Sequence, residues 1–135
     1  MKRDQAEFRL HCWVADYLRK TAWPSVLWFH PANGENRSKI TGGRLKRMGV
    51  LRGTPDFVFI TPLSTCFLEL KRPGGRLSPE QKAFRDKVTG LGCPYKVATT
   101  GDEARAILSD WKVTRETYKR GSAIVGEIVH GDLPL

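Results

Sequence analysis

Two short apolar runs, Phe57-Val58-Phe59-Ile60 and Thr65-Cys66-Phe67-Leu68, lie on either side of a break at Pro62 and Ser64. Runs this short, rich in aromatic and β-branched residues and separated by turn formers, predict the two strands of a β-hairpin. Asp56 stands immediately before the first run, in Gly53-Thr54-Pro55-Asp56, and Glu69-Leu70-Lys71 closes the second. Side chains alternate across a strand, so Glu69 and Lys71 share one face while Leu68 and Leu70 share the other. The hairpin thereby brings two carboxylates and an ammonium to one place on a sheet. Burying that much charge is unfavourable unless a cation or a reaction uses it.

The flanking segments supply helices and more strands. Asp4-Gln5-Ala6-Glu7 reads as a helix start, with Asp4 as N-cap and Glu7 at the third helical position. Leu10, Trp13, Val14, Tyr17 and Leu18 then recur at helical spacing until Pro24 ends the element. Val26 to His30 reads as a first strand, broken by Pro31-Ala32-Asn33-Gly34. Glu35 to Gly53 has poor periodicity and reads as a long connection, with at most a short helical turn from Thr41 to Met48. Ser78-Pro79-Glu80-Gln81 is a helix start with an N-cap serine, proline at the first position and glutamine closing a capping box. Tyr95 to Ala98 is a strand, and strand, helix and strand in succession suggest a parallel crossover. Asp102 to Trp111 reads as a short helix. Beyond Lys112, Thr114 to Arg120 reads as more helix and Ala123 to Val129 as an added strand or docked arm. The expected fold class is α/β with a mixed sheet: a core over residues 1–111 and a C-terminal extension over 112–135.

The 135-residue chain carries a formal charge of +9, which favours a polyanionic partner. The surplus concentrates in the long connection, where Arg37, Lys39, Arg44, Lys46, Arg47 and Arg52 have no acidic residue among them. Arg72 and Arg76 extend it beyond the hairpin. No apolar run approaches a bilayer span, and the polar start lacks the apolar centre of a signal peptide. A soluble cytoplasmic protein with no membrane partner is expected. Cys12, Cys66 and Cys93 are scattered in apolar segments without metal-ligand spacing, so they read as reduced thiols.

Hard cations such as Mg²⁺ take oxygen ligands, one or two carboxylates with phosphate and water completing the shell. Asp56, Glu69 and the Leu70 backbone carbonyl fit that role, with Lys71 placed to stabilise phosphate charge. Glu7 shares a helix face with Leu10, Val14 and Leu18, so it either meets the metal or closes a capping box with Asp4. Gln81 has the same two readings. His11 reads as a helix-face residue, and His30 and Asn33 as parts of a surface turn.

Gly53-Thr54-Pro55-Asp56, Glu69-Leu70-Lys71 and Gly75-Arg76-Leu77-Ser78-Pro79-Glu80-Gln81 together resemble the VRR-NUC family of the PD-(D/E)xK nuclease superfamily. The resemblance runs from about Glu7 to Leu108. It implies a restriction-endonuclease-like αβββαβ core. It also implies Mg²⁺ or Mn²⁺ held by Asp56, Glu69 and the Leu70 carbonyl, with Lys71 catalytic and Glu7 and Gln81 completing the site. The implied activity is DNA cleavage, in stand-alone phage or bacterial proteins that dimerise and cut branched DNA such as flaps or four-way junctions in repair or recombination. No small-molecule cofactor is implied. Two other readings stay open: a non-catalytic nucleic-acid-binding module on the same scaffold, and a basic assembly protein with no metal dependence.

Overall fold

The computed structural model describes residues 2–32 and 39–118. Among them lie helices α1 (Lys2–Thr21), α2 (Lys39–Arg47), α3 (Pro79–Gly90) and α4 (Gly101–Asp110), and strands β1 (Leu27–Phe29), β2 (Phe57–Ile60), β3 (Thr65–Leu70) and β4 (Tyr95–Ala98). The strands form one sheet in the order β1-β2-β3-β4. β1 and β2 are antiparallel, as are β2 and β3, whereas β3 and β4 are parallel. This is the mixed sheet of a restriction-endonuclease-like α+β fold, as the sequence predicts.

Register decides which side chains meet which layer. Phe57 pairs with Leu68 and Phe59 with Cys66, and Leu70 pairs with Ala98. These residues are buried on one face against Val14 and Leu18 of α1 and Ala104 and Leu108 of α4. The alternate residues face α3, where the Phe67 ring meets Phe84 edge-on at 5.2 Å. Glu69 belongs to that second set, so the hairpin hands its carboxylate to α3 while its apolar neighbours fill the main core.

Three local readings need correction. α1 begins at Lys2, so Asp4 lies within it and is not its N-cap; Lys2 and Arg3 are good helix formers and nothing there stops the helix. The connection contains a full helix, α2, despite Gly42 and Gly43. It ends in a Schellman motif: Gly49 N–H donates to the Lys46 carbonyl and Val50 N–H to the Leu45 carbonyl, with Gly49 at φ +97°. Thr114 to Tyr118 is not helical, because Lys112 at φ 58° turns the chain out of α4. Thr114 instead bridges to Ala22. The rest of the expected tail helix and the Ala123–Val129 arm lie outside the described residues.

Residues 113–116 are held against α1 and α4. Trp23 N–H donates to the Val113 carbonyl at 3.0 Å, and Arg115 N–H to the Thr21 carbonyl at 2.7 Å. The buried Glu116 carboxylate accepts from Tyr17 Oη at 2.9 Å and pairs with Arg105 at 2.6 Å. A buried ion pair broken on one side leaves an uncompensated charge. Glu116→Ala should therefore cost about 3 kcal/mol by urea denaturation. An unchanged midpoint would mean that this segment is an appendage and not part of the cooperative unit.

Candidate active site

Asp56 sits at the entrance to β2, and its carboxylate turns toward β3. Oδ2 accepts the Leu70 backbone N–H at 2.7 Å. Leu70 is the residue between Glu69 and Lys71, so this bond ties the aspartate to the Glu-x-Lys motif directly. Glu69 is 3% exposed, which takes it out of water on the α3 side of the sheet. Its Oε2 accepts from Gln81 Nε2 at 2.9 Å.

Gln81 does two things at once. Its Oε1 accepts the Ser78 N–H at 2.9 Å while its own N–H donates to Ser78 Oγ at 3.1 Å, completing the capping box of α3. That geometry fixes the side chain and leaves the amide nitrogen free to hold Glu69. One side chain thus both caps α3 and holds Glu69, as the sequence allows.

The two carboxyl groups are within hydrogen-bonding reach of each other, and their affinities for protons diverge. Burial pushes Glu69 far above the usual carboxylate range, and the Asp56 carboxylate beside it, as acceptor and as charge, pushes it further; Lys71 pulls it back only in part. Burial also raises Asp56, but the neighbouring His11 ring, the Glu69 carboxyl and the Leu70 N–H outweigh it and hold Asp56 below its ordinary value. Without a cation, the pair keeps one proton, on Glu69. A divalent ion would replace that proton, so the donor set fits a metal.

A stability prediction follows. The Glu69 carboxyl binds its proton more tightly in the folded chain than in the unfolded one. In chelator, stability should therefore fall as pH rises above the ordinary carboxylate range. Asp56 acts oppositely: its contribution is present above that range and lost in acid. Urea midpoints at about pH 5 and about pH 8 should show the decline in wild type and not in Glu69→Gln. Equal slopes in both proteins would mean that Glu69 carries no such proton.

The remaining expected residues fall in different places. Glu7 is half-buried on α1 and its Oε1 accepts the Arg72 N–H at 3.4 Å, beside the motif. Lys71 N–H donates to the Ala98 carbonyl at 3.0 Å, and its ammonium acts on Glu69 electrostatically. Arg44, Lys46 and Arg47 lie exposed in the last turn of α2, and Arg52 and Arg76 are exposed in loops. Arg72 is half-buried, with its Nε lacking a hydrogen-bond partner. Lys39 opens α2, while Arg37 lies outside the described residues.

Sequence reasoning missed the histidines. His11 Nδ1 lies 3.6 Å from Asp56 Oδ1, and His30 Nδ1 lies 2.7 Å from the Asp56 backbone oxygen. His11 stands four residues after Glu7, one turn along the same face of α1, which was the available signal. It also missed Tyr95, whose buried hydroxyl has no hydrogen-bond partner among the described residues and whose pKa rises through burial and the charge of Glu69.

A VRR-NUC domain model matches residues 1–102 of the chain. The chain belongs to the VRR-NUC family. Its match covers α1 through the first two residues of α4, and so the whole Asp56–Glu69–Lys71 hairpin and the α3 cap that positions Gln81. VRR-NUC domains are nuclease domains, which makes nucleic acid the substrate class. No curated protein and no solved structure matches the chain. Among the described residues, no helix is long and apolar enough to cross a membrane.

Proposed function

We propose that this VRR-NUC domain is a Mg²⁺- or Mn²⁺-dependent DNA endonuclease. The observation that carries the reading is the Asp56–Glu69 carboxyl pair, with Glu69 buried and Asp56 half-buried, tied to Leu70 and Gln81. A module that only binds DNA has no use for two facing carboxylates, which repel the phosphates it must hold. Asp56, Glu69 and the Leu70 carbonyl would hold the ion, and Glu7 stands close enough to the motif to reach it through water. A bound ion would supply Lewis acidity and would acidify a water for attack on phosphorus.

The chain's own residues do the rest. Gln81 keeps one Glu69 oxygen occupied and so fixes the orientation of the other. Asp56 is held by the Leu70 N–H, which removes its freedom to swing toward solvent. Lys71, next along the strand, presents an ammonium to the charge that builds on the phosphate oxygens. The exposed cations of α2 and the loops at Arg52 and Arg76 grip flanking phosphates.

Linear, flapped and four-way DNA should each be incubated with Mg²⁺, Mn²⁺ or chelator. Cleavage with either ion and none in chelator is expected, with branched DNA cut preferentially as the family resemblance implies. DNA binding without cleavage under every condition would favour the non-catalytic module. Two cuts in opposed strands need two sites, and a two-fold dimer supplies them. Light scattering at micromolar concentration should then give twice the chain mass.

Neutralising Arg44, Lys46 and Arg47 should weaken binding to all DNA sequences alike. The slope of log affinity against log salt should shrink by about one unit per lost phosphate contact. An unchanged slope would mean that the end of α2 points away from the substrate.

A further inference from the structure

The histidines beside Asp56 form a constellation that the carboxyl pair does not need. One ring nitrogen of His11, one of His30 and a carboxylate oxygen of Asp56 lie within 4.8 Å of one another. They come from three separate elements: α1, the end of β1 and the start of β2. We infer that His11, His30 and Asp56 form a second cation position, adjoining the Asp56–Glu69 pair and selective for a borderline transition ion such as Zn²⁺ or Co²⁺ over Mg²⁺. The inference goes beyond the nuclease reading, because it requires only ion binding and no cleavage.

Three observations support it. The first is the tautomer of His30. Its Nδ1 lies 2.7 Å from the Asp56 backbone carbonyl oxygen, which can only accept. Nδ1 therefore carries the proton, and the neutral ring presents its lone pair at Nε2. A ring N–H on a backbone carbonyl is the arrangement that orients metal-binding imidazoles and raises their basicity.

The second is spacing. Two donors on one tetrahedral ion, with bonds of about 2.0–2.1 Å, stand roughly 3.4 Å apart. His11 Nδ1 and Asp56 Oδ1 are already 3.6 Å apart, too far for a good direct hydrogen bond and close to the separation across an ion. The third donor lies within 4.8 Å of both.

The third is support. The His11 ring stacks on Phe57 with centroids 4.5 Å apart, and His30 meets His11 edge-on at 4.4 Å. Phe57 is fully buried, so the imidazoles rest on the rigid core. Asp56 offers Oδ1 on this side while Oδ2 takes the Leu70 N–H.

Ligand chemistry then separates the two positions. Carboxylate and carbonyl oxygens suit Mg²⁺, whereas imidazole favours zinc and other first-row transition ions. With three protein donors and His30 exposed, the position keeps a coordination site open to water or to a substrate oxygen.

The test titrates the metal-free full chain with Co²⁺ and reads its visible absorption and binding isotherm, without DNA. One Co²⁺ should bind with a nitrogen- and oxygen-ligand spectrum and resist a large excess of Mg²⁺. His11→Ala and His30→Ala should each weaken it at least tenfold, and the double variant should abolish it. Glu69→Gln should retain it, and His130→Gln should change nothing. Circular dichroism checks folding. In wild type, Zn²⁺ should also shift the imidazole ¹⁵N resonances of His11 and His30 and leave that of His130 in place. Displacement by Mg²⁺, an unaltered isotherm in a folded double variant, a thiolate charge-transfer band pointing to the cysteines, or unmoved His11 and His30 resonances would each overturn the site. Failure of cleavage in every metal, with Co²⁺ still bound through the histidines, would sink the nuclease reading and leave this one standing.

Discussion

Glu69→Gln should give a protein that folds, binds DNA and does not cut it. The amide has the volume of the carboxyl it replaces and keeps an oxygen for Gln81 Nε2, so the contact to α3 survives. What it loses is the charge that a cation needs. Removing the partner that merely orients a metal ligand costs about 10- to 100-fold in affinity or activity, so removing a ligand itself should cost at least about 100-fold in cleavage. DNA binding should hold, because the grip on the phosphates comes from the exposed cations of α2 and the loops and not from Glu69. Folding in chelator should not suffer, since wild-type Glu69 is already held protonated by burial and by Asp56. Gln81→Leu is the informative companion. It keeps the carboxylate but strips its hydrogen bond and half of the α3 capping box, so it should lose both stability and rate. Nuclease kinetics and urea denaturation on the same preparations separate these outcomes. A Glu69→Gln protein that cuts at the wild-type rate would remove Glu69 from the reaction and leave the carboxyl pair as a structural curiosity.

The parts of this molecule written in local sequence were legible. The hairpin was, because a two-residue period reveals strand faces, and Glu69 therefore had to point opposite Leu68 and Leu70. The α3 start was, because Ser78, Pro79 and Gln81 each solve the problem of unpaired N–H groups at a helix end. The long connection was misread because Gly42 and Gly43 have low helix propensity, and that weighed against α2. Gly49 between Met48 and Val50 was the overlooked stop signal. The start of the tail, Thr114 to Tyr118, was misread because a lysine at a left-handed position gives no local warning: Lys112 takes φ 58°, where glycine is the usual occupant. The histidines were hidden for another reason. His11, His30 and Asp56 are brought together only by packing α1 against the sheet, and no spacing along the chain records that. Glu7 is intermediate: its helix face was readable, but its contact with the Arg72 N–H was not.

Gly53→Ala should destabilise the protein more than any other single-methyl change in the connection, and should disturb the site with it. Two effects add at this position. Gly53 has φ +81°, a conformation that costs an L-residue about 1–2 kcal/mol. A Cβ there would also stand 2.3 Å from the Glu80 carbonyl oxygen and 2.8 Å from the Gln81 nitrogen. Those atoms are helix backbone, pinned by Pro79 at the start of α3 and by the Ser78–Gln81 capping box, so they cannot turn aside as a side chain would. Overpacking of this kind adds about 1–3 kcal/mol, for an expected total of about 2–5 kcal/mol. Gly49→Ala isolates the first effect, because Gly49 has φ +97° but nothing within 4 Å of its would-be Cβ. It should cost only the strain. The excess of Gly53→Ala over Gly49→Ala then measures how tightly the loop leading to Asp56 is locked to the helix carrying Gln81. That lock is the reason the two carboxyl groups meet: the loop sets Asp56, the helix sets Glu69 through Gln81, and Gly53 is where loop and helix touch. If the chain relieves the clash by moving α3, Gln81 should leave Glu69, and activity should fall beyond what the stability loss explains at temperatures where the variant is fully folded. Equal urea midpoints for the two alanine variants would show that α3 shifts without cost, and would undo the claim that this contact holds the carboxyl pair together.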